Sequence, residues 1–175
     1  MTVVEAATLE TEIRAMMPDL LAYFQRRLDN REDAADALSE TLIVIWRRQR
    51  SLPGDAEGRR RYAFGIARNV LAAARRGRVK HRDISDALRA ELAVATVPPD
   101  LDLDAALAAL AEKDRELVLL VAWEGFGVAE AGAILGLRSD VARARYSRAR
   151  ARLRTELAQH EGPGGNHRRT PRVRL

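Results

Sequence analysis

Cysteine is absent from the 175 residues. No disulfide staples the fold, thiolate zinc sites and cysteine nucleophiles are excluded, and the absence agrees with a reducing compartment. Histidine is nearly as scarce, at 3 residues. His81, His160 and His167 fall in a linker or a tail, without ligand spacing, and His167 sits among arginines. Neither a metal site nor a cofactor is expected. Aromatics make up only 5% of the chain, so base stacking would rest on little more than Tyr62 and Phe64, whose spacing also suits a core. No apolar run approaches the roughly 18 residues that span a bilayer, and the N-terminus lacks the pattern of a signal peptide. A cytoplasmic protein without membrane contact is expected. Gly162-Pro163-Gly164-Gly165 lacks the Lys and Ser/Thr of a phosphate loop. Asp36 and Glu40, one helical turn apart, form a carboxylate pair better read as a solvated or partner-facing surface than as catalytic groups. The chain is read as a non-enzyme.

What the sequence does have is apolar content of 47%, enough for a packed core, and charge content of 31%. The net charge is +5, unevenly spread. Residues 59–82 carry 9 basic side chains and no acidic one, and residues 138–154 carry 7 basic and 1 acidic. The segments 1–58 and 83–137 are net acidic, at −4 and −8. Two basic islands in an acidic chain point to two separate polyanion contacts.

Ala, Leu and Arg dominate, and all favour helix; no alternating strand pattern of useful length is present. The first helix is expected from about Leu9 to Leu28, with Ile13, Met16, Met17, Leu20, Leu21, Phe24 and Leu28 on one face and a break or kink at Pro18. Asn30 reads as the N-cap of a second helix, Arg31 to Gln49, in which Ala34, Leu38, Leu42 and Ile45 face inward. After the breaker-rich loop Ser51 to Asp55, a third helix is expected from Arg59 to Arg76 and is ended by Gly77. Tyr62, Ile66 and Val70 mark its inner face, while Arg61, Gly65, Arg68, Ala72 and Arg75 form the opposite stripe, flanked by Asn69 and Arg76. Residues 77–100 read as a linker with a short helix near Ile84 to Ala95, and the Gly/Pro/Arg-rich tail from Gly162 as disordered.

The C-terminal half carries the more specific pattern. A helix led by Asp100 or Asp102 holds Leu103, Leu107 and Leu110, and an apolar stretch runs from Asp114 to Trp123. A short helix Val128–Leu135, a turn at Gly136 and a helix from Ser139 to Leu157 then read as helix-turn-helix. Leu135, Leu137 and Val141 are expected to form its buried hinge, with Ser139 or Asp140 as the cap. Arg143 and Arg145 lie in the first two turns of the second helix, where a recognition helix meets base edges or phosphates. Tyr146 suits the core or a phosphate contact, and Arg150 to Arg154 suit a solvated face.

Three stretches in order resemble one family. Arg60-Arg61-Tyr62-Ala63-Phe64-Gly65-Ile66-Ala67-Arg68-Asn69-Val70-Leu71, with Arg75-Arg76-Gly77, resembles region two of the extracytoplasmic-function sigma factors. Asp33 to Leu42, leading to Trp46-Arg47, is similar to that family's core-binding helix. Glu112 to Leu153, with Trp123-Glu124-Gly125 and Ile134-Leu135-Gly136-Leu137, resembles its region four. The departures are Tyr62 where Trp is common, Arg59 in place of an aromatic, Asp140-Val141-Ala142 for Gly-Thr-Val, and Gly127-Val128-Ala129-Glu130-Ala131 for Ser-Tyr-Glu-Glu-Ile.

The resemblance implies an all-α fold of two small domains: region two over 8–80 and a region-four helix-turn-helix over 101–160, joined by a flexible linker at 81–100 and followed by a basic tail at 161–175. It implies an alternative sigma factor that binds RNA polymerase core and promoter DNA, with an anti-sigma factor as a common further partner. Asp36, Glu40 and Arg47 are then candidates for the polymerase beta-prime clamp helices. Arg59, Arg60, Arg61, Arg68, Asn69, Arg75 and Arg76, with loop 51–58, are candidates for reading and opening the minus-ten element. Ser139, Arg143, Arg145, Tyr146 and Arg148 are candidates for the minus-thirty-five element, the same module contacting the beta flap. The rival reading is a helix-turn-helix regulator that acts without polymerase.

Overall fold

The structure, a computed structural model, describes the backbone of residues 3–89 and 101–160 and the side chains of residues 9–77 and 103–158. Every regular element among the described residues is helical. The chain divides into two compact units, one within residues 1–93 and one within 94–175. The expected tail, residues 161–175, and residues 90–100 of the expected linker lie outside the described residues.

The N-terminal unit holds α1 (Val3–Gln25), α2 (Arg31–Arg47), a 3-10 turn at Gln49–Ser51 and α3 (Ala56–Arg89). Each of the three helices packs on the other two. Of the break or kink expected at Pro18, the break is not there: α1 continues through it. The lost N–H bond is local, and Leu20, Tyr23 and Phe24, all fully buried just beyond the proline, dock the helix on the core. Tyr23 is the hub, meeting Phe24 and Phe64 edge-on at centroid distances of 5.3 and 5.6 Å. Leu38, Ile45, Ile66, Val70 and Leu71 close this core, and Leu42 is only half-buried. Thr41 is buried with them, and its hydroxyl is satisfied by donating to the Ala37 carbonyl at 2.8 Å.

One local signal behaves as expected and both boundaries of the third helix do not. Asn30 caps α2, its Oδ1 accepting the Asp33 N–H at 2.9 Å. The third helix begins earlier than its basic run, at Ala56, because Asp55 caps it: Oδ1 accepts the Gly58 N–H at 2.6 Å. Gly77 does not end it, and α3 runs on to Arg89 through part of the expected linker. An interior glycine costs a helix only about 1 kcal/mol relative to alanine, and the positive-φ conformation that would stop it is taken only by Gly125 and Gly136 among the described residues.

The C-terminal unit holds α4 (Leu101–Ala108), α5 (Glu112–Ala122), α6 (Val128–Ile134) and α7 (Ser139–His160). Helix α7 packs on each of the other three. Leu107, Leu110, Val118, Ala149 and Leu153 form a core cluster with Ala106, and Leu103, Tyr146 and Leu157 lean on it. Gly136 turns the chain between α6 and α7 at φ +69°, with the Leu137 N–H donating to the Gly132 carbonyl at 2.8 Å and the Gly136 N–H to Ala133 at 3.1 Å. Gly125, at φ +72°, makes the turn after α5. The expected hinge differs in two members: Leu135 is buried, but Leu137 is half-buried and Val141 is 40% exposed, and its neighbour Ala142 is fully buried. Ala142 faces Gly132, where an added Cβ would lie 2.5 Å from the alanine methyl. The two helices of the motif approach over the absence of a side chain.

Candidate nucleic-acid interface

Helix α3 advances about 100° per residue, so its apolar repeat leaves one outward arc. Arg61, Asn69 and Arg76 are exposed on that arc, and Arg68 and Arg75 are half-buried at its edges. The structure sets Arg59 and Arg60 apart from these five. Arg60 leans over the Phe64 ring at 5.1 Å and pairs with Asp19 of α1 at 3.5 Å. Arg59 forms a two-pronged pair with Glu12 of α1: Nε donates to Oε2, and Nη2 to Oε1 at 2.8 Å. Its Nη1 donates to the carbonyls of Pro53 at 2.9 Å and Gly54 at 2.7 Å. The Glu12 hydrogen bond is the main reason that the Arg59 pKa lies above its ordinary value. Arg59, expected at a DNA contact, is bound inside its own fold.

Helix α2 presents a different surface. Asp36, Glu40 and Arg47 are all exposed on the side away from Ala34, Leu38 and Ile45. Two large apolar side chains stand among them in solvent, Ile43 at 51% and Trp46 at 55% exposure. The sequence pattern assigned a role to the charges but not to Ile43. Its signal was an apolar residue off the inward repeat of α2.

In α7 the structure also divides the expected set. Arg143 and Arg148 are exposed, and Ser139, half-buried, is the first helical residue. Arg145 is half-buried, its Nε donating to Asp114 Oδ1 of α5 at 2.6 Å. Tyr146 packs on the core cluster rather than standing in solvent. Asp140 faces Arg138 at 3.3 Å, which offsets its charge at the start of a basic helix. Glu130 closes the start of α6, its Oε2 accepting the Gly127 N–H at 2.9 Å. Beside the motif lies a groove of about 170 Å³ lined by Val128, Arg143, Tyr146, Ser147, Arg150 and Arg154. Ser147, Arg150 and Arg154 were not expected at a site. Their spacing from Arg143, four, seven and eleven residues, was the available signal. The groove is far smaller than the ~300–1,000 Å³ of a small-molecule site, and its guanidinium groups suit an anion.

Comparison with known proteins points to one family. The family described as Sigma-70, region 4 matches residues 100–153, which contain α4 to α6 and most of α7. The chain is 33% identical over 151 residues to the ECF RNA polymerase sigma factor SigE of Mycolicibacterium smegmatis, covering 80% of this chain and 57% of that protein. It is 32% identical over 151 residues to the ECF RNA polymerase sigma factor SigF of Caulobacter vibrioides, covering 82% of each. The chain thus spans little more than half the length of the first relative and most of the second. Among solved structures it is similar to the sigma factor RpoE, solved in complex with the anti-sigma factor NepR from Bartonella quintana. The TM-score is 0.67 at 28% identity, over 86% of this chain and 97% of that one. CnrH, solved with the cytosolic domain of CnrY, shares the fold at a TM-score of 0.55 and 23% identity, over 91% of this chain and 97% of that one.

Proposed function

The chain belongs to the extracytoplasmic-function sigma factors of RNA polymerase, and from that premise we propose that it binds polymerase core and carries it to promoters, acting in the cytoplasm by recognition rather than catalysis. The observation that carries this reading is the separation of surfaces. An outward basic arc lies on α3, a second basic surface on α7, and a mixed apolar and charged stripe on α2. A regulator that only bound DNA would have no use for Ile43 and Trp46 in solvent.

The α2 stripe, with Asp36, Glu40, Ile43, Trp46 and Arg47, docks on the beta-prime clamp helices of core polymerase. Trp46 is its apolar anchor, and the charges set the orientation. Arg61, Arg68, Asn69, Arg75 and Arg76 follow the backbone of the minus-ten element, while the loop before α3 takes part in opening it. Ser139, Arg143 and Arg148 meet the minus-thirty-five element through the helix-turn-helix. Arg145 is steadied by Asp114 as it does so, and the same module reaches the beta flap. An anti-sigma factor is the expected inhibitor, as for the RpoE relative solved with NepR.

Run-off transcription from a promoter library with purified core polymerase tests the reading. Specific transcripts are expected only when the chain is added. Trp46→Ala should weaken core association by about 2 kcal/mol or more, roughly thirtyfold, as loss of an aromatic anchor does. DNA binding by α7 should be unchanged. Binding to an upstream element without any association with core would instead describe a stand-alone regulator.

A further inference from the structure

The segment between α2 and α3 contains Pro53-Gly54, a composition that leaves backbone freedom at the glycine. It is nevertheless held from three sides. Arg59, one turn into α3, reaches back to the Pro53 and Gly54 carbonyls with one edge of its guanidinium. The other edge meets the Glu12 carboxylate, 47 residues away on α1. Asp55 caps the helix at Gly58, where an added Cβ would lie 2.8 Å from the Pro53 Cβ and 2.7 Å from Asp55 Oδ2. One planar group therefore joins a loop, the helix after it and a helix far away in sequence. Only arginine can do this: its five donors sit in a fixed fork, whereas a lysine ammonium is a point charge.

Resting on the reading of this loop as part of the promoter-opening device, we propose that Glu12 and Arg59 form a clasp that presets the loop, which makes Glu12 a positioning residue for promoter opening. Arg59 works here by shaping backbone, not by neutralising a phosphate. A loop already held in shape loses less freedom when a displaced base enters it. Residue 59 of the chain departs from the aromatic that the family resemblance would place there. The clasp is what that departure supplies.

Glu12→Ala, Arg59→Lys and the reversed pair Glu12→Arg with Arg59→Glu test this in the full chain. The first readout is amide hydrogen exchange at residues 54–58 of the free protein. Glu12→Ala and Arg59→Lys should each speed it by about tenfold or more, the scale of a lost charge-assisted hydrogen bond. The reversed pair restores an ion pair but puts a carboxylate, which cannot donate, at position 59 beside the two carbonyls, so the loop should stay fast. The second readout is open-complex formation with core polymerase on a duplex promoter and on the same promoter with a pre-melted bubble. Opening of the duplex should slow by about tenfold, with the bubble template and core affinity unchanged within about twofold.

Unaltered exchange would overturn the clasp. So would equal losses on both templates, which describe general destabilisation. A Glu12→Ala protein that opens duplex faster while Arg59→Ala opens it more slowly would make Arg59 a direct DNA contact. If the unaltered chain opens no promoter with core, the sigma-factor reading fails, and the exchange measurement still decides the clasp.

Discussion

The two units handle the same residue type, arginine on a long helix, in different ways. In the N-terminal unit the first two arginines of the basic helix are bound to α1, Arg59 to Glu12 and Arg60 to Asp19, and the outward arc is presented from Arg61 on. In the C-terminal unit Arg145 of the basic helix is bound to Asp114 of α5, and Arg143 and Arg148 stand exposed around it. Their cores differ as well. The N-terminal core turns on Tyr23, Phe24 and Phe64, large rings that join α1 to α3. The C-terminal core is mainly aliphatic, with Phe126 buried beside its alanine, leucine, isoleucine and valine side chains, and its helix-turn-helix closes over Gly132. Basic charge in a helix is therefore not the same as available charge. A unit with a short loop to shape uses some of its arginines as internal ties, while a unit that presents a helix keeps more of them outward.

That contrast can be broken most forcefully in the aromatic core. Phe64→Ala should destabilise the N-terminal unit by about 3–5 kcal/mol, as loss of a buried ring does. The helix-turn-helix should keep its own unfolding transition. Calorimetry resolved by hydrogen exchange in each unit measures this, and a shared loss would make the two cores one cooperative block. The mirror experiment is Gly132→Ala, which places a methyl group against Ala142. It should cost the C-terminal unit about 1–3 kcal/mol by overpacking. Adding Ala142→Gly should recover part of that loss if the Gly132 contact is the cause.

The arginines sharpen the comparison at smaller scale. Arg143→Ala should weaken binding to the upstream promoter element by about 1–3 kcal/mol. Arg145→Ala and Asp114→Ala should be non-additive, with a coupling of at least ~0.5 kcal/mol in a double-mutant cycle read by binding to the same element. Full additivity would reduce the pair to an incidental surface contact. The smallest effect belongs to Asp55. The Gly58 N–H holds the pKa of its carboxyl below the ordinary value, so its folded pKa lies under its unfolded one. The cap's contribution is present above the ordinary aspartate value of about 3.9 and is lost as pH falls through the folded value. Thermal unfolding followed from pH 5 downward should show this slope in the native chain. In Asp55→Asn, which keeps the acceptor without the titration, the slope should be shallower.

How much of this was legible depended on the distance between partners. The Asn30 cap and the Gly136 turn are written within four or five residues, so sequence pattern was sufficient for both. The inward faces of α2 and α3 followed from spacing, because a helix repeats its geometry every turn. Arg59 and Arg145 were expected at DNA because each lies in a basic run, and nothing local marks the carboxylate that holds it. Glu12 and Asp114 are 47 and 31 residues away. Gly77 looked like a helix end because glycine often serves as one, yet its neighbours keep the helix going. Val141 and Ala142 exchanged roles for a related reason: the crossing of α6 over α7 selects which of two adjacent apolar residues is covered, and Gly132 sets that crossing.

From the sequence alone come the helical periods, the Asn30 cap, the two basic islands and the acidic stretches around them, since each depends on neighbours a few residues apart. The packing of helices decides which arginines remain outward, which glycine admits a neighbouring helix and which carboxylate fastens the loop before α3. Those choices depend on side chains that meet only after the backbone has folded, and spacing along the chain carries no record of them.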